Sequence, residues 1–173
     1  MKAGTDVIIL RGAPASGKSQ VAKCLAQFFP KGAKVEVDSL RKMVISVDWT
    51  NQAEHISMLQ VSARLVCDFL KLDFKPVIVV DTFSGDKIDK FLESLRQFDR
   101  SISVKLFALY VTEDVLKKRL ELRSGSEFRD FKICKKLNED VLKIKQASEY
   151  QIDTSALSPM QAAEKIRNEL ARF

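Results

Sequence analysis

Residues Gly12-Ala13-Pro14-Ala15-Ser16-Gly17-Lys18-Ser19 constrain this chain more than any other stretch. They fit G-x-x-x-x-G-K-[ST], the phosphate-binding P-loop. The flanks agree with the motif. Asp6-Val7-Ile8-Ile9-Leu10-Arg11 comes before it, a β-branched apolar run of strand length. Residues 20–29 come after it, with Val21, Ala22, Leu25, Ala26 and Phe29 at helical spacing. Gly12 and Gly17 permit left-handed backbone and close approach of a ligand. The loop N–H groups then form an anion nest in front of the positive end of the helix dipole. In that frame Lys18 reaches the β- and γ-phosphates of a nucleotide, and the Ser19 hydroxyl ligates Mg²⁺.

The rest of the chain is compatible with one α/β domain over 1–173. An apolar fraction of 46% and a charged fraction of 30% exclude a disordered chain. No apolar run approaches the roughly 20 residues of a membrane span. The N-terminus leads directly into a strand without a signal-peptide pattern, so a cytoplasmic protein is expected. Cys24, Cys67 and Cys134 are far apart and read as reduced core thiols. The net charge of +6 favours phosphate-bearing partners, either nucleic acid or the nucleotide itself.

Four further stretches carry chemistry. A short strand over 33–37 leads into Asp38-Ser39-Leu40-Arg41, where Asp38 and Arg41 share one side of a helix start. Ligands of open α/β sheets bind at the carboxyl ends of strands. There Asp38 can take a proton from a substrate hydroxyl, while Arg41 holds a phosphate or keeps Asp38 ionised. Val77-Ile78-Val79-Val80 reads as a central parallel strand buried on both faces. Asp81 follows it at the Walker B-type position near Mg²⁺, with Thr82 placed to touch an acceptor. A fourth strand spans 103–111. Thr112-Glu113-Asp114 then opens a helix carrying Arg119 and Arg123 up to a break at Ser124-Gly125-Ser126, and a second helix runs over about 131–148. This pair reads as a lid over about 119–135, its arginines neutralising charge on a transferring phosphoryl group. A fifth strand over 150–155 precedes Ser158-Pro159-Met160-Gln161, a capping box with Pro at the first helical position.

Other residues receive plainer expectations. A long amphipathic helix covers 51–72. His55, the one histidine, has no metal-ligand partner at suitable spacing and reads as a surface residue. Trp49, which could stack on an acceptor ring, reads rather as the cover of a core edge. Ile88, Phe91, Leu92, Leu95 and Phe98 are expected to face inward from the helix after Asp81.

The order strand–P-loop–helix, strand–Asp-x-x-Arg, strand–Asp-Thr, strand–Arg-rich lid, strand–helix resembles the small P-loop kinases. It is similar to the kinase domain of bacteriophage-type polynucleotide 5′-kinase and the related zeta toxin-like kinases. The resemblance implies a three-layer α/β fold: a central five-stranded, mostly parallel sheet, helices on both faces, and a helical lid. It implies ATP and Mg²⁺, bound by residues 12–19 with Ser19 and Asp81 at the metal. It makes Asp38 the base, Arg41 the clamp on the acceptor phosphate, and Asp81-Thr82 part of the acceptor side. By spacing from the fourth strand, Arg123 is the lid arginine and Arg119 its neighbour. The sequence departs from that pattern at Phe83-Ser84, where the phage-type enzymes have an Asn-containing stretch, and no motif is recognisable over 44–60.

The implied activity is transfer of the γ-phosphoryl group of ATP to a polynucleotide 5′-hydroxyl. The alternative acceptor is a nucleoside, a nucleotide sugar or another small alcohol. A different class, a P-loop NTPase or ATP-binding accessory module, needs no acceptor clamp such as Arg41. No guanine-reading Asn-Lys-x-Asp stretch is present.

Overall fold

A computed structural model describes residues 4–125, 127–143 and 149–172. Its twelve elements alternate strand and helix through most of the chain. They are β1 (Val7–Arg11), α1 (Lys18–Ala26), β2 (Ala33–Glu36), α2 (Val37–Arg41), α3 (Gln52–Lys71), β3 (Val77–Asp81), α4 (Lys87–Phe98), β4 (Val104–Tyr110), α5 (Glu113–Glu121), α6 (Phe131–Lys143), β5 (Glu149–Asp153) and α7 (Pro159–Leu170). The sheet order is β2-β3-β1-β4-β5. Every neighbouring pair is parallel, so the expected mostly parallel sheet is parallel throughout.

Alternation along β1 divides the core. Val7 and Ile9 pack with Leu59, Ala63 and Val66 of α3 and with Ile88, Phe91 and Leu95 of α4. Ile8 and Leu10 pack on the other face with Val21, Ala22 and Leu25 of α1 and with Ala162, Ala163 and Ile166 of α7. A strand buried on both faces must be apolar at every position, hence the unbroken run in the sequence. A third cluster, Val111, Leu116, Leu120 and Cys134, ties α5 and α6 together beside Ala15.

The topology locates the ligand end. The chain leaves β1 toward β2 on one side and leaves β3 toward β4 on the other. The switch point therefore lies between β1 and β3, where ligands of doubly wound sheets bind. Arg11 and Asp81 are partners in register there. The P-loop follows Arg11, so the loop and Asp81 are neighbours across one strand gap.

Several expectations need correction. Phe98, the last residue of α4, is 49% exposed rather than inward, because the helix ends beyond the core. Cys24 is half-buried, while Cys67 and Cys134 are buried as expected, and all three are free thiols. Thr112 takes the N-cap position of α5 without a side-chain cap, whereas the capping box at Ser158 is fully formed. The expected helix after Phe131 is present to Lys143, and its continuation over 144–148 lies outside the described residues, as does Ser126. Among the described residues, no helix is long and apolar enough to cross a membrane.

Candidate active site

The P-loop is shaped by steric demands at two glycines. Gly12 has φ +155°, and a Cβ there would stand 2.3 Å from the Leu109 carbonyl oxygen of β4. Gly17 has φ +94° and is the N-cap of α1. No side chain caps that helix and no acid occupies its first turn, so its amino-terminal N–H groups and dipole stay available to an anion. Ala15 is left-handed as well, at φ 65°. Ser16 Oγ is buried with no hydrogen-bond partner inside this loop. An orphaned hydroxyl in a ring of N–H groups fits a phosphate-binding cradle.

Lys18 folds back over its own loop and donates to the Ala13 carbonyl at 2.9 Å. Burial pulls its pKa down to about 8, against the attraction of Asp81 and then Asp38, while Arg123 pushes the same way as burial. These influences place Lys18, Asp38, Asp81 and Arg123 in one electrostatic field. Ser19, in the first turn of α1, is exposed.

Asp38 lies at the start of α2, at the carboxyl end of β2. Capping is not its role, since Glu36 holds the N-cap position. Its side chain has an exposed area, yet surrounding protein limits its hydration. That loss of hydration raises its pKa first, and Asp81 raises it further, against Lys18, His55 and Arg41.

Arg41, one turn later, is buried at 4% exposure. Its Nη2 donates to the Asp48 carbonyl at 3.1 Å and lies 3.9 Å from Glu54 Oε1. Its guanidinium is 4.5 Å from the centre of the Trp49 ring. Trp49 itself is 46% exposed, so it forms the floor under Arg41 rather than the cover of a core edge. Arg41 Nε and Glu54 Oε1 are buried without hydrogen-bond partners.

Asp81, at the end of β3, is buried. Its Oδ2 accepts from the Phe83 N–H at 3.0 Å and lies 3.2 Å from His55 Nε2. His55 is therefore a buried member of the site and not a surface residue. Its other nitrogen, Nδ1, is 3.1 Å from Lys87 Nζ, which also donates to Ser84 Oγ at 3.3 Å. Burial would raise the Asp81 pKa, but the His55 and Phe83 bonds and Lys18 hold it below the ordinary value. Thr82 is half-buried beside it, and Phe83 takes φ 48° with its ring packed 5.3 Å from that of Phe91.

The two lid arginines separate. Arg119 Nη2 donates to the Thr154 carbonyl at 2.8 Å, and its Nη1 reaches the carbonyls of Ser16 and Ala15 and Thr154 Oγ1 at 3.3–3.4 Å. It links the P-loop to the loop after β5. Arg123 Nη1 donates to the Phe128 carbonyl at 2.7 Å, and its Nε lies 3.7 Å from Glu127 Oε1. Thus Arg123 is bonded within the segment joining α5 to α6 while its charge is felt at Lys18.

The donor set suits Mg²⁺. No group of three or more His, Cys, Asp or Glu could cage a metal among the described residues. Mg²⁺ needs only one or two protein oxygens beside phosphates and water. The Ser19 hydroxyl and the Asp81 carboxylate would supply them, and among the described residues no hydrogen bond falls on Asp81 Oδ1.

A cavity of about 530 Å³ lies elsewhere, at the amino-terminal ends of the strands between Asp6, Phe29, Lys75 and Arg167. The P-loop end of the sheet is opposite, so this cavity takes no part in the site.

His55 and Lys87 were missed by sequence reasoning. Neither has a motif around it, and 32 residues separate them. The one available signal was the position of Lys87, six residues after Asp81 at the opening of α4.

Residues 7–148 match the family AAA_33, described as an AAA domain. No curated protein matches the chain. Among solved structures, the tunicamycin resistance protein of Deinococcus radiodurans superposes with TM-score 0.72 at 22% identity, over 96% of this chain and 95% of that one. A gluconokinase from Sinorhizobium meliloti 1021 gives 0.69 at 20% identity, over 98% and 92%. Shikimate kinase from Acinetobacter baumannii, in complex with shikimate, gives 0.61 at 18% identity, over 97% and 94%. At these identities the likeness is one of fold.

Proposed function

The chain belongs to the AAA domain family AAA_33, and on that premise we propose that it is an ATP-dependent kinase acting on a hydroxyl of a small-molecule alcohol. One observation carries the reading. Asp38, a carboxylate whose pKa is raised, shares its field with Lys18 of the P-loop and with Asp81. Hydrolysis by water needs no acceptor clamp such as the buried Arg41 beside Asp38. The reading treats residues 1–173 as one P-loop kinase domain with a lid over about 119–135.

The roles follow from placement. Residues 12–19 and the start of α1 cradle the donor phosphates, and Lys18 meets the β- and γ-oxygens. Asp38 accepts the proton of the acceptor hydroxyl as its oxygen attacks the γ-phosphorus in line, and ADP leaves. Bound with the nucleotide between Ser19 and Asp81, Mg²⁺ would neutralise charge on the phosphate oxygens. Arg123 adds positive charge from the lid, Arg119 braces the P-loop, and Arg41 and Thr82 line the acceptor side. The neighbours include a gluconokinase and a shikimate kinase, which favours a small alcohol over the polynucleotide 5′-end implied by the phage-type resemblance.

The test is transfer from γ-labelled ATP with Mg²⁺ to a pool of small alcohols, in parallel with a 5′-hydroxyl oligonucleotide. Label is expected in the small-alcohol pool and lost in Asp38→Asn. Label on the oligonucleotide alone would restore the polynucleotide reading. Free phosphate alone would mark an NTPase.

A further inference from the structure

Lys87 is the first residue of α4 and is 7% exposed. A buried ammonium ordinarily has a carboxylate partner. Among the described residues, no carboxylate lies within salt-bridge distance of Lys87. Its bonds go to two neutral atoms, His55 Nδ1 at 3.1 Å and Ser84 Oγ at 3.3 Å. An ammonium has three donors, so one N–H is left for another acceptor.

The bonds around His55 assign its tautomer. Asp81 Oδ2 can only accept, so His55 donates from Nε2. Lys87 can only donate as an ammonium, so Nδ1 accepts. The ring is a spacer between a carboxylate and a cation. It holds the Lys87 head in place without neutralising it.

A second cation faces the same region. Arg41 is buried, stacked on Trp49, and its Nε has no hydrogen-bond partner among the described residues. Its nearest carboxylate, Glu54, is 3.9 Å away and carries an orphaned oxygen of its own. Arg41 and Lys87 repel: after burial and the opposing pull of Asp81, Arg41 is the next influence on the Lys87 pKa, and it lowers it. Two poorly paired buried cations, Arg41 near Asp38 and Lys87 behind His55 and Asp81, are costly in the free protein and are relieved by an anion.

We propose that Lys87, held by His55 and acting with Arg41, binds an acidic group on the acceptor, so that the substrates are alcohols bearing a carboxylate or phosphate. This deepens the kinase reading and rests on it for the word substrate. The anion site can be tested without phosphoryl transfer. Trp49 is the only tryptophan and lies under Arg41, so its emission reports on the site.

The experiment compares alcohols that differ only in the acid. Glycerol, glycerate and glycerol 3-phosphate form one set, and glucitol with gluconate a second. Each is titrated against Trp49 fluorescence in the full chain, then tried as acceptor with ATP and Mg²⁺. At least one acidic compound is expected to bind about 10-fold or more tighter than its neutral counterpart, the worth of one charge-assisted bond. Lys87→Met should erase that preference and leave weak binding of the neutral compound unchanged, with an unchanged circular dichroism spectrum. Lys87→Arg should restore part of it, and His55→Gln should lose it. For phosphorylated compounds the loss in Lys87→Met should fall on KM rather than kcat.

Equal binding of acidic and neutral compounds overturns the inference. So does a preference that survives Lys87→Met, or silence from every acidic compound up to about 50 mM, weaker than any useful site. If acidic compounds bind through Lys87 yet none is phosphorylated, the anion site stands and the kinase reading fails.

Discussion

The carbonyl oxygen of Thr154 accepts a 2.8 Å hydrogen bond from Arg119 Nη2, and the Thr154 hydroxyl donates to the carbonyl of Ser16 at 2.9 Å. One threonine at the end of β5 is thus bonded to both the P-loop and helix α5. Nucleotide loops must hold their N–H groups inward, which turns carbonyls outward, and Arg119 meets those of Ala15 and Ser16. Arg119→Met is expected to destabilise the fold by about 1–2 kcal/mol. It should also raise amide hydrogen exchange at Ser16 and Thr154. Unchanged exchange at both amides would show that Arg119 does not brace the loop.

Gly12 makes a sharper demand. A Cβ at this position meets the Leu109 backbone oxygen at 2.3 Å, and neither strand can retreat inside a parallel sheet. Gly12→Ala should cost more than about 3 kcal/mol, at the upper end of overpacking penalties. Gly125→Ala meets nothing within 4 Å and differs only by its φ of +63°, so about 1 kcal/mol is expected. Chemical denaturation of the two variants checks the contrast.

Asp38 should trade stability for activity. Its folded pKa is raised, so its ionisation opposes folding. The sign follows: the penalty is present at neutral pH and is relieved as pH falls through the folded pKa, where the wild type takes up a proton. Asp38→Asn should therefore melt slightly higher at pH 7, and the gain should vanish as the pH falls through the folded-state pKa of Asp38. The same variant should lose most phosphoryl transfer while retaining ATP binding. In the wild type, the acid limb of kcat/KM should lie above the ordinary carboxylate value. A limb at or below that value would remove Asp38 as the base.

Glu149 receives both Nε and Nη2 of Arg11, the residue immediately before Gly12, in a fully buried pair. Arg11 also donates to the Val141 carbonyl of α6 at 3.2 Å. Removing one charge strands the other. Glu149→Gln should cost about 3–5 kcal/mol, measured by denaturant unfolding. The double variant Arg11→Met, Glu149→Leu should recover most of that loss, because it leaves no buried charge behind.

Some of this was legible before any coordinates. The β1–P-loop–α1 unit is local, and its glycine positions, apolar alternation and helix start all lie within one short stretch. The strand β3 declared itself by a continuous apolar run and β4 by its apolar residues, and the cap of α7 by its Ser158 and Gln161 spacing. The candidate site was legible only where chemistry sits at a strand end, as with Asp38 and Asp81. Arg41 was singled out from its spacing to Asp38, but its stacking on Trp49 was not foreseen, because the turn between them is irregular and carries no periodicity.

By itself, then, the sequence determined the P-loop and its glycines, the alternation of strands and helices, and the end of the sheet that carries Asp38 and Asp81. Those follow from backbone sterics and from the period of apolar residues, which act over a few residues. The tertiary structure decided which distant groups meet there. His55 is 26 residues from Asp81 and 32 from Lys87, and Arg119 is 35 from Thr154. Such contacts depend on how α3, α4 and α5 pack across the sheet. Burial then turned an unremarkable histidine and lysine into a fixed, poorly neutralised cation beside Asp81. No local pattern encodes that, because the cost of a buried charge arises only after the chain has closed around it.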